Sequence, residues 1–312
     1  MSNRWKVFWV AALMFVAFFQ ACGMHSWEEM IVSTADERQM GREFDSLIRI
    51  GHKDVMEPGE SILVPQTAEQ TALYNYLQAR AKDIVNKIDS KDLDALLPSG
   101  SICGSDNKQK CTKDNFFEFK IINSKTVNAF AVPGGYIYFY TAILKNFKSE
   151  SELSSVLGHE IGHVVLHHSR NGIVKQVGAS VIIDALLGDG MGATLASLGT
   201  SFWLLGNSRE NESQSDSMAF TYTNKMGISS EGLGDFFSRG LKSYDSITGF
   251  CEDPSKDESF LDVLSTHPPS CERVNNNKKR IKNSGQTLAT HPKDLNLVNG
   301  KKFTQLVIEA KL

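Results

Sequence analysis

Five consecutive residues, His159-Glu160-Ile161-Gly162-His163, carry the chemistry most easily read from this chain. Residues four apart lie one turn apart on the same face of a helix. Two imidazoles in that relation can hold one Zn²⁺. Glu160 sits beside them, placed to take a proton from an attacking water. Together these groups are the minimal equipment for metal-assisted hydrolysis of a peptide bond. His167 and His168 follow the pattern too closely to be part of it, and both are expected in packing or at the surface rather than as ligands.

A catalytic zinc needs a third protein ligand and an open position. A third histidine six residues after the second would fall on Ser169, which excludes the metzincin arrangement. The other source is a carboxylate on a later helix. In the segment Ser208 to Asp216, Glu212 and Asp216 are one helical turn apart and share a face. Glu212 can ligate and Asp216 can orient a ligating histidine from behind. From the residues alone, an acidic pair in a polar helix is usually a solvated face.

The elements that must position these groups have clear signatures. Ser149 and Glu152 form a capping-box pattern at the start of the first helix. Leu153, Val156, Leu157, Ile161, Val164 and Val165 give that helix a broad apolar face. Gly158 and Gly162 weaken a helix by roughly 1 kcal/mol each relative to alanine. Their presence predicts that something approaches the helix closely. Residues 28–50 read as a helix, 67–97 as a longer one, and 116–122 as a strand. Strands at 127–132 and 136–140 flank the Pro133-Gly134-Gly135 turn. Asn128, Ala129, Phe130 and Ala131 are expected on an exposed edge strand beside the cleft. There an extended substrate adds by main-chain hydrogen bonds.

Composition fits one globular catalytic domain, with 41% hydrophobic and 22% charged residues. A net charge of −3 gives no electrostatic basis for nucleic-acid binding. Arg4 and Lys6 precede an uncharged apolar run, Val7 to Phe19, too short for a membrane span and suited to an export signal. Gln20 and then Ala21-Cys22 follow it, which predicts lipidation of Cys22. Export makes disulfides the expected state of Cys103, Cys111, Cys251 and Cys271. Three connectivities are open, and local pairing, Cys103 with Cys111 and Cys251 with Cys271, is the simplest. The apolar segment 173–205 is expected to form helices or a flap over the cleft rather than to cross a membrane.

Four separated motifs give the chain a specific resemblance. His159-Glu160-Ile161-Gly162-His163-Val164 is one. Ser208-Arg209-x-x-Glu212-x-x-x-Asp216 is the second, with Ser215 where alanine is usual. Asn128-Ala129-Phe130-Ala131-x-Pro133-Gly134-Gly135 is the third, and Thr266-His267-Pro268-Pro269 with trailing Arg273 the fourth. In order and spacing they resemble the HtpX/LoiP/BepA-like gluzincin metalloendopeptidases, a group related to the type I CAAX prenyl proteases, over residues 28–283. The resemblance implies a mainly helical α+β fold, a zincin-type metalloprotease domain with a small β-sheet whose edge strand borders the active-site cleft. It implies one Zn²⁺ per chain on His159, His163 and Glu212, with Asp216, Arg209 and Arg273 behind the ligands. Glu160 is then the general base. His267 is an oxyanion donor, or approaches the metal and competes with water.

The expected organisation is a signal peptide at 1–21, an N-terminal tether and helix at 22–60, a catalytic domain at 61–285 and a C-terminal tail at 286–312. The expected activity is zinc-dependent endoproteolysis of misfolded or misassembled envelope proteins. It would act at the periplasmic face of the bacterial outer membrane, with the N-terminal lipid in the bilayer. The competing reading is a periplasmic chaperone or assembly factor for outer-membrane proteins using the same cleft. Glu160 speaks for catalysis, because holding a chain does not need a base.

Overall fold

A computed structural model describes residues 28, 31–97, 102–103, 109–188, 190–198, 208–239, 241, 267, 270–295 and 300–312. The signal segment, Cys22 and Cys251 lie outside them. The described chain is mainly helical, with one small mixed sheet.

Helix α1 (Thr34–Arg49) is followed by β1 (Ser61–Ile62), α2 (Ala68–Val85) and α3 (Ser90–Leu96). The single long helix expected over 67–97 is therefore two. α2 ends at Asn86 and a new N-terminus begins after Asp89. Two short strands, β2 (Ile102–Cys103) and β3 (Gln109–Lys110), form a hairpin that the Cys103–Cys111 disulfide closes. Cys271 is also disulfide-bonded.

The main sheet has the order β1-β4-β6-β5, built from β4 (Glu118–Asn123), β5 (Ala129–Val132) and β6 (Tyr136–Tyr140) beside β1. β6 runs parallel to β4 and antiparallel to β5. Gly134 and Gly135 both take positive φ in the turn between β5 and β6. A side chain there would strike the backbone of Arg38 or Phe116.

Because side chains alternate across a sheet, β5 and β6 feed two hydrophobic clusters. Ala129, Ala131, Ile137 and Phe139 point into the larger one, which holds α2 and the helix carrying His159. Phe130, Val132, Tyr136, Tyr138 and Tyr140 point into the smaller one, built on Met40, Phe44 and Ile48 of α1. α1 is bolted to the β5–β6 turn. The Arg38 guanidinium donates to the Phe116 carbonyl (2.8 Å) and to the Gly134 carbonyl, and pairs with Glu118 (2.7 Å).

After α4 (Thr141–Asn146) come α5 (Glu150–Val165), α6 (His168–Val177), α7 (Ala179–Leu187) and α8 (Met191–Leu198). The apolar segment at 173–205 thus forms short helices as far as residue 198. Among the described residues no helix is long and apolar enough to cross a membrane.

α9 (Arg209–Met226), α10 (Gly232–Ser238), α11 (Cys271–Ser284) and α12 (Phe303–Ala310) complete the order. Within the segment expected as a C-terminal tail, α12 is packed against the rest of the fold. Phe303, Leu306 and Val307 are buried in the larger cluster, at the one-face spacing of an amphipathic helix. The stretch before α12 also anchors α5: the Ser151 N–H donates to the Lys293 carbonyl (2.9 Å) and the Glu150 N–H to Asp294 (3.0 Å).

Candidate metal centre and active site

All 16 residues of α5 are buried. Its N-terminus is capped by Ser149, whose hydroxyl accepts from the Glu152 N–H at 3.3 Å. The reciprocal half of the capping box is displaced by one residue, since Glu152 accepts from the Lys148 N–H and pairs with Arg239. The two glycines have their reason in α9. A Cβ on Gly158 would lie 3.2 Å from Ala219 Cα, and one on Gly162 would lie 3.2 Å from Ser215 Cα. Glycines on one helix meet small residues on the other, and the backbones close together. That approach brings His159 and His163 of α5 against Glu212 and Asp216 of α9.

His159 Nε2 and His163 Nε2 are 2.9 Å apart. Glu212 lies 3.4 Å from the first and 3.3 Å from the second. His267 brings its Nδ1 to 2.9 Å from Glu212 and 3.2 Å from His159. One donor atom from each of the four fits within 4.8 Å of all the others, and all four residues are buried. Donors about 2.0–2.2 Å from one tetrahedral metal would stand about 3.4 Å apart. The donor types and spacings therefore fit a four-coordinate divalent ion. Glu160 Oε1 is 3.5 Å from His267 Nε2, and its other oxygen is buried without a hydrogen-bond partner. A buried carboxylate oxygen left open beside such a cluster is costly unless a polar group belongs there.

Charge around the cluster is arranged in depth. Asp216 accepts from both ends of the Arg273 fork (2.9 and 2.6 Å) and lies 2.9 Å from His159 Nδ1. Arg273 also pairs with Glu212 at 2.8 Å and donates to the His267 carbonyl at 3.4 Å. Burial works against ionisation of Glu212, but His267 and Arg273 outweigh it and hold the carboxyl well below its usual range. Burial also opposes a charge on His159, yet Glu212 and Asp216 push it up to about 9. His163 goes the other way, well below the usual imidazole value, chiefly through burial.

Arg209 does not lie behind the ligands as expected: it is the first residue of α9 and is exposed, whereas Glu212 and Asp216 of the same helix are buried. His267 sits among the candidate ligands, within reach of Glu160. His167 and His168 lie outside the group of four candidate ligands, and both make specific contacts. His167 adopts the left-handed conformation (φ 55°), ends α5 and contacts Glu37 at 2.6 Å. His168 is buried, with Nδ1 2.9 Å from His163 Nδ1 and Nε2 3.0 Å from Gln214 Oε1. No sequence periodicity shows this, since it depends on the kink at His167.

Among the described residues β5 lies at the sheet edge, paired with β6 alone. The Tyr140 N–H donates to the Asn128 carbonyl (3.0 Å), which fixes the alternation. Ala129 and Ala131 then turn their N–H and C=O groups to the outer edge. Asn128 accepts from the Ala129 N–H through its own side chain (3.0 Å), and the Ser169 hydroxyl donates to the Ala131 carbonyl (3.0 Å). The edge expected to be exposed is buried, with Ala129 at 1% and Ala131 at 8% exposure.

Residues 105–281 match peptidase family M48. The chain is 31% identical over 137 residues to the mitochondrial metalloendopeptidase OMA1 of Arabidopsis thaliana, covering 39% of this chain and 28% of the relative. It is 30% identical over 178 residues to the metalloprotease YcaL of Escherichia coli, covering 52% and 61%. It is 27% identical over 137 residues to the beta-barrel assembly-enhancing protease of Escherichia coli, covering 40% and 28%. The matches span from about a quarter to about three fifths of these relatives' lengths.

Proposed function

From the premise that this chain belongs to peptidase family M48, we propose that it is a zinc-dependent endopeptidase of the cell envelope. It acts on unfolded or misassembled envelope proteins. The observation that carries the reading is Glu160: buried, one oxygen unpaired, on the turn between two histidines that share a cluster with Glu212.

His159, His163 and Glu212 would hold the metal, which when bound supplies a Lewis acid to polarise the scissile carbonyl and acidify water. Glu160 takes one proton from the attacking water as its oxygen bonds to the carbonyl carbon. The same carboxyl then delivers that proton to the departing nitrogen as the C–N bond breaks. The products are a carboxylic acid and an amine, and passage of the acid's remaining proton to the amine leaves a carboxylate and an ammonium. Asp216 stands 2.9 Å behind His159 Nδ1 and is itself held by Arg273. His267 stands where it can either donate to the developing oxyanion or occupy a ligand position.

For substrate to add as a further strand on β5, the buried edge has to open and the Ser169 hydroxyl has to give up the Ala131 carbonyl. Recognition by backbone suits substrates that share an unfolded state rather than a sequence. The name of the beta-barrel assembly-enhancing relative supports an envelope setting.

Glu160→Gln keeps size and shape and removes the base. Zinc content is expected to stay at one per chain, while casein hydrolysis falls by about 10²–10⁴. Unchanged hydrolysis would refute the mechanism. A parent protein that suppresses aggregation of unfolded chains without cleaving them would select the chaperone reading instead. In cells, substrates should accumulate in envelopes carrying the Glu160→Gln protein.

A further inference from the structure

The two histidines of α5 are backed differently. His159 has a carboxylate behind it: Asp216, 2.9 Å from its Nδ1 and clamped by Arg273. The atom facing His163 Nδ1, at 2.9 Å, is a nitrogen of another imidazole, His168. We infer that His168 is the positioning residue of the second ligand, fixing both the tautomer and the aim of His163 through a neutral hydrogen-bond chain that runs on to Gln214. This rests on the reading that His159, His163 and Glu212 hold the metal.

Proton counting makes the chain directional. His163 turns Nε2 into the cluster, 3.3 Å from Glu212. To ligate, that nitrogen must be bare, so the ring's proton sits on Nδ1. Two nitrogens 2.9 Å apart need one donor and one acceptor, so His168 Nδ1 accepts. The His168 proton is then on Nε2, and Gln214 Oε1 accepts it at 3.0 Å. The other end of the Gln214 amide donates to Glu210 at 3.2 Å, which sets the amide's orientation. Every link has one donor and one acceptor, and one proton order satisfies them all. The Ser215 hydroxyl, 3.3 Å from His168 Nδ1, is a longer competitor for the same lone pair.

The backbone is bent to make this contact. On a straight helix a residue five positions after His163 would point about 140° away from it. One left-handed residue, His167, ends α5 and starts α6 at His168, which returns the imidazole to His163. That conformation is uncommon for a residue with a Cβ. Here it is held by the Glu37 contact to His167.

Partners behind a metal-bound histidine are typically worth 10–100-fold in metal affinity. The test is zinc affinity by chelator competition, with the visible spectrum of the Co²⁺ form as a report on ligand geometry, for the full chain and three variants. His168→Phe keeps a ring and removes the acceptor. It should weaken zinc binding by about 10–100-fold and alter the Co²⁺ bands. His168→Asn carries an oxygen on the same Cγ that bears Nδ1, and should recover most of the affinity. Gln214→Met, at an exposed position, should weaken binding several-fold by releasing the His168 tautomer.

Parent-like affinity and spectrum in a folded His168→Phe protein would overturn the inference, as would equal losses in the Phe and Asn variants. Where His168→Phe does not fold, Gln214→Met decides: unchanged affinity overturns the chain and a several-fold loss supports it. A parent protein that binds no zinc overturns the metal-site reading itself. A parent that binds zinc beside an unaffected His168→Phe removes only the role of His168.

Discussion

α5 has two neighbours that come close for the same steric reason and to different ends. α9 meets it through Gly158 and Gly162 against Ser215 and Ala219. β5 meets it through the alanine side chains of Ala129 and Ala131, in the same cluster as Leu157 and Ile161. On the α9 side the approach delivers charged side chains: Glu212 and Asp216 reach the histidines and are tied by Arg273. On the β5 side it delivers backbone, an edge whose Ala129 N–H and Ala131 carbonyl are taken up by the Asn128 and Ser169 side chains. Small residues thus do opposite jobs beside one helix. Where the neighbour is a helix they bring ligands to a fixed point, and where it is a strand they bring peptide groups to a line.

The largest expected effect tests the α9 side. Glu212→Ala should lose zinc and activity together. Removing it also leaves Arg273 and His267 facing an uncompensated gap in a buried network, a change that commonly costs 3–5 kcal/mol. Glu210 is two residues earlier on the same helix, pointing about 200° away, and it is exposed. Glu210→Ala should cost at most a few-fold, through the amide of Gln214. Metal analysis of the two purified variants separates them. If the loss follows Glu210, the ligand assignment is wrong.

The glycines give a smaller effect with an internal control. Gly→Ala inside a helix normally stabilises by about 1 kcal/mol. At Gly162 the added methyl would stand 3.0 Å from Met218 Cβ and 3.2 Å from Ser215 Cα, and overpacking of this kind costs about 1–3 kcal/mol. Gly162→Ala should therefore destabilise the protein in urea unfolding. Gly172, in α6, has nothing within 4 Å of such a methyl, so Gly172→Ala should stabilise it. If both variants gain stability, α9 does not approach α5 as closely as its contacts require.

How much of this was legible beforehand follows the same division. α5 announces itself by a cap, an apolar face and two histidines four apart, and its glycines correctly signal a close neighbour. α9 is polar on most of its surface, with buried positions confined to one stripe that includes Glu212, Ser215, Asp216 and Ala219. Only the resemblance in motif order singled out Glu212 there. Arg209 shows the limit of that route: membership in a motif does not place a side chain beside the site. α12 was readable, since Phe303, Leu306 and Val307 have helical spacing, but position near the chain's end made it look like a tail. The role of His168 was not readable, because it depends on one non-glycine residue in a left-handed conformation. Nor was the burial of the β5 edge, which depends on Ser169 reaching over from α6.

The smallest effect tests the β5 side, and the register sharpens it. Ala129 and Ala131 are the residues whose N–H groups point outward, yet they are not equivalent. The Ala129 N–H already donates to the Asn128 side chain, whereas at Ala131 it is the carbonyl that meets Ser169. A substrate strand that pairs here replaces the Ser169 contact and gains the Ala131 N–H. Ala131→Pro removes that donor without touching the β6 ladder, which runs through the backbone groups of Phe130 and Val132. One hydrogen bond contributes about 0.5–1.5 kcal/mol net, so KM for peptides should rise about 2–10-fold at unchanged zinc content and nearly unchanged kcat. Ala129→Pro should do less, because the donor it removes is already engaged. Equal effects at the two positions would mean that substrate does not read this register. Unchanged KM in both would mean that it does not pair with β5 at all, leaving the buried edge a structural element only.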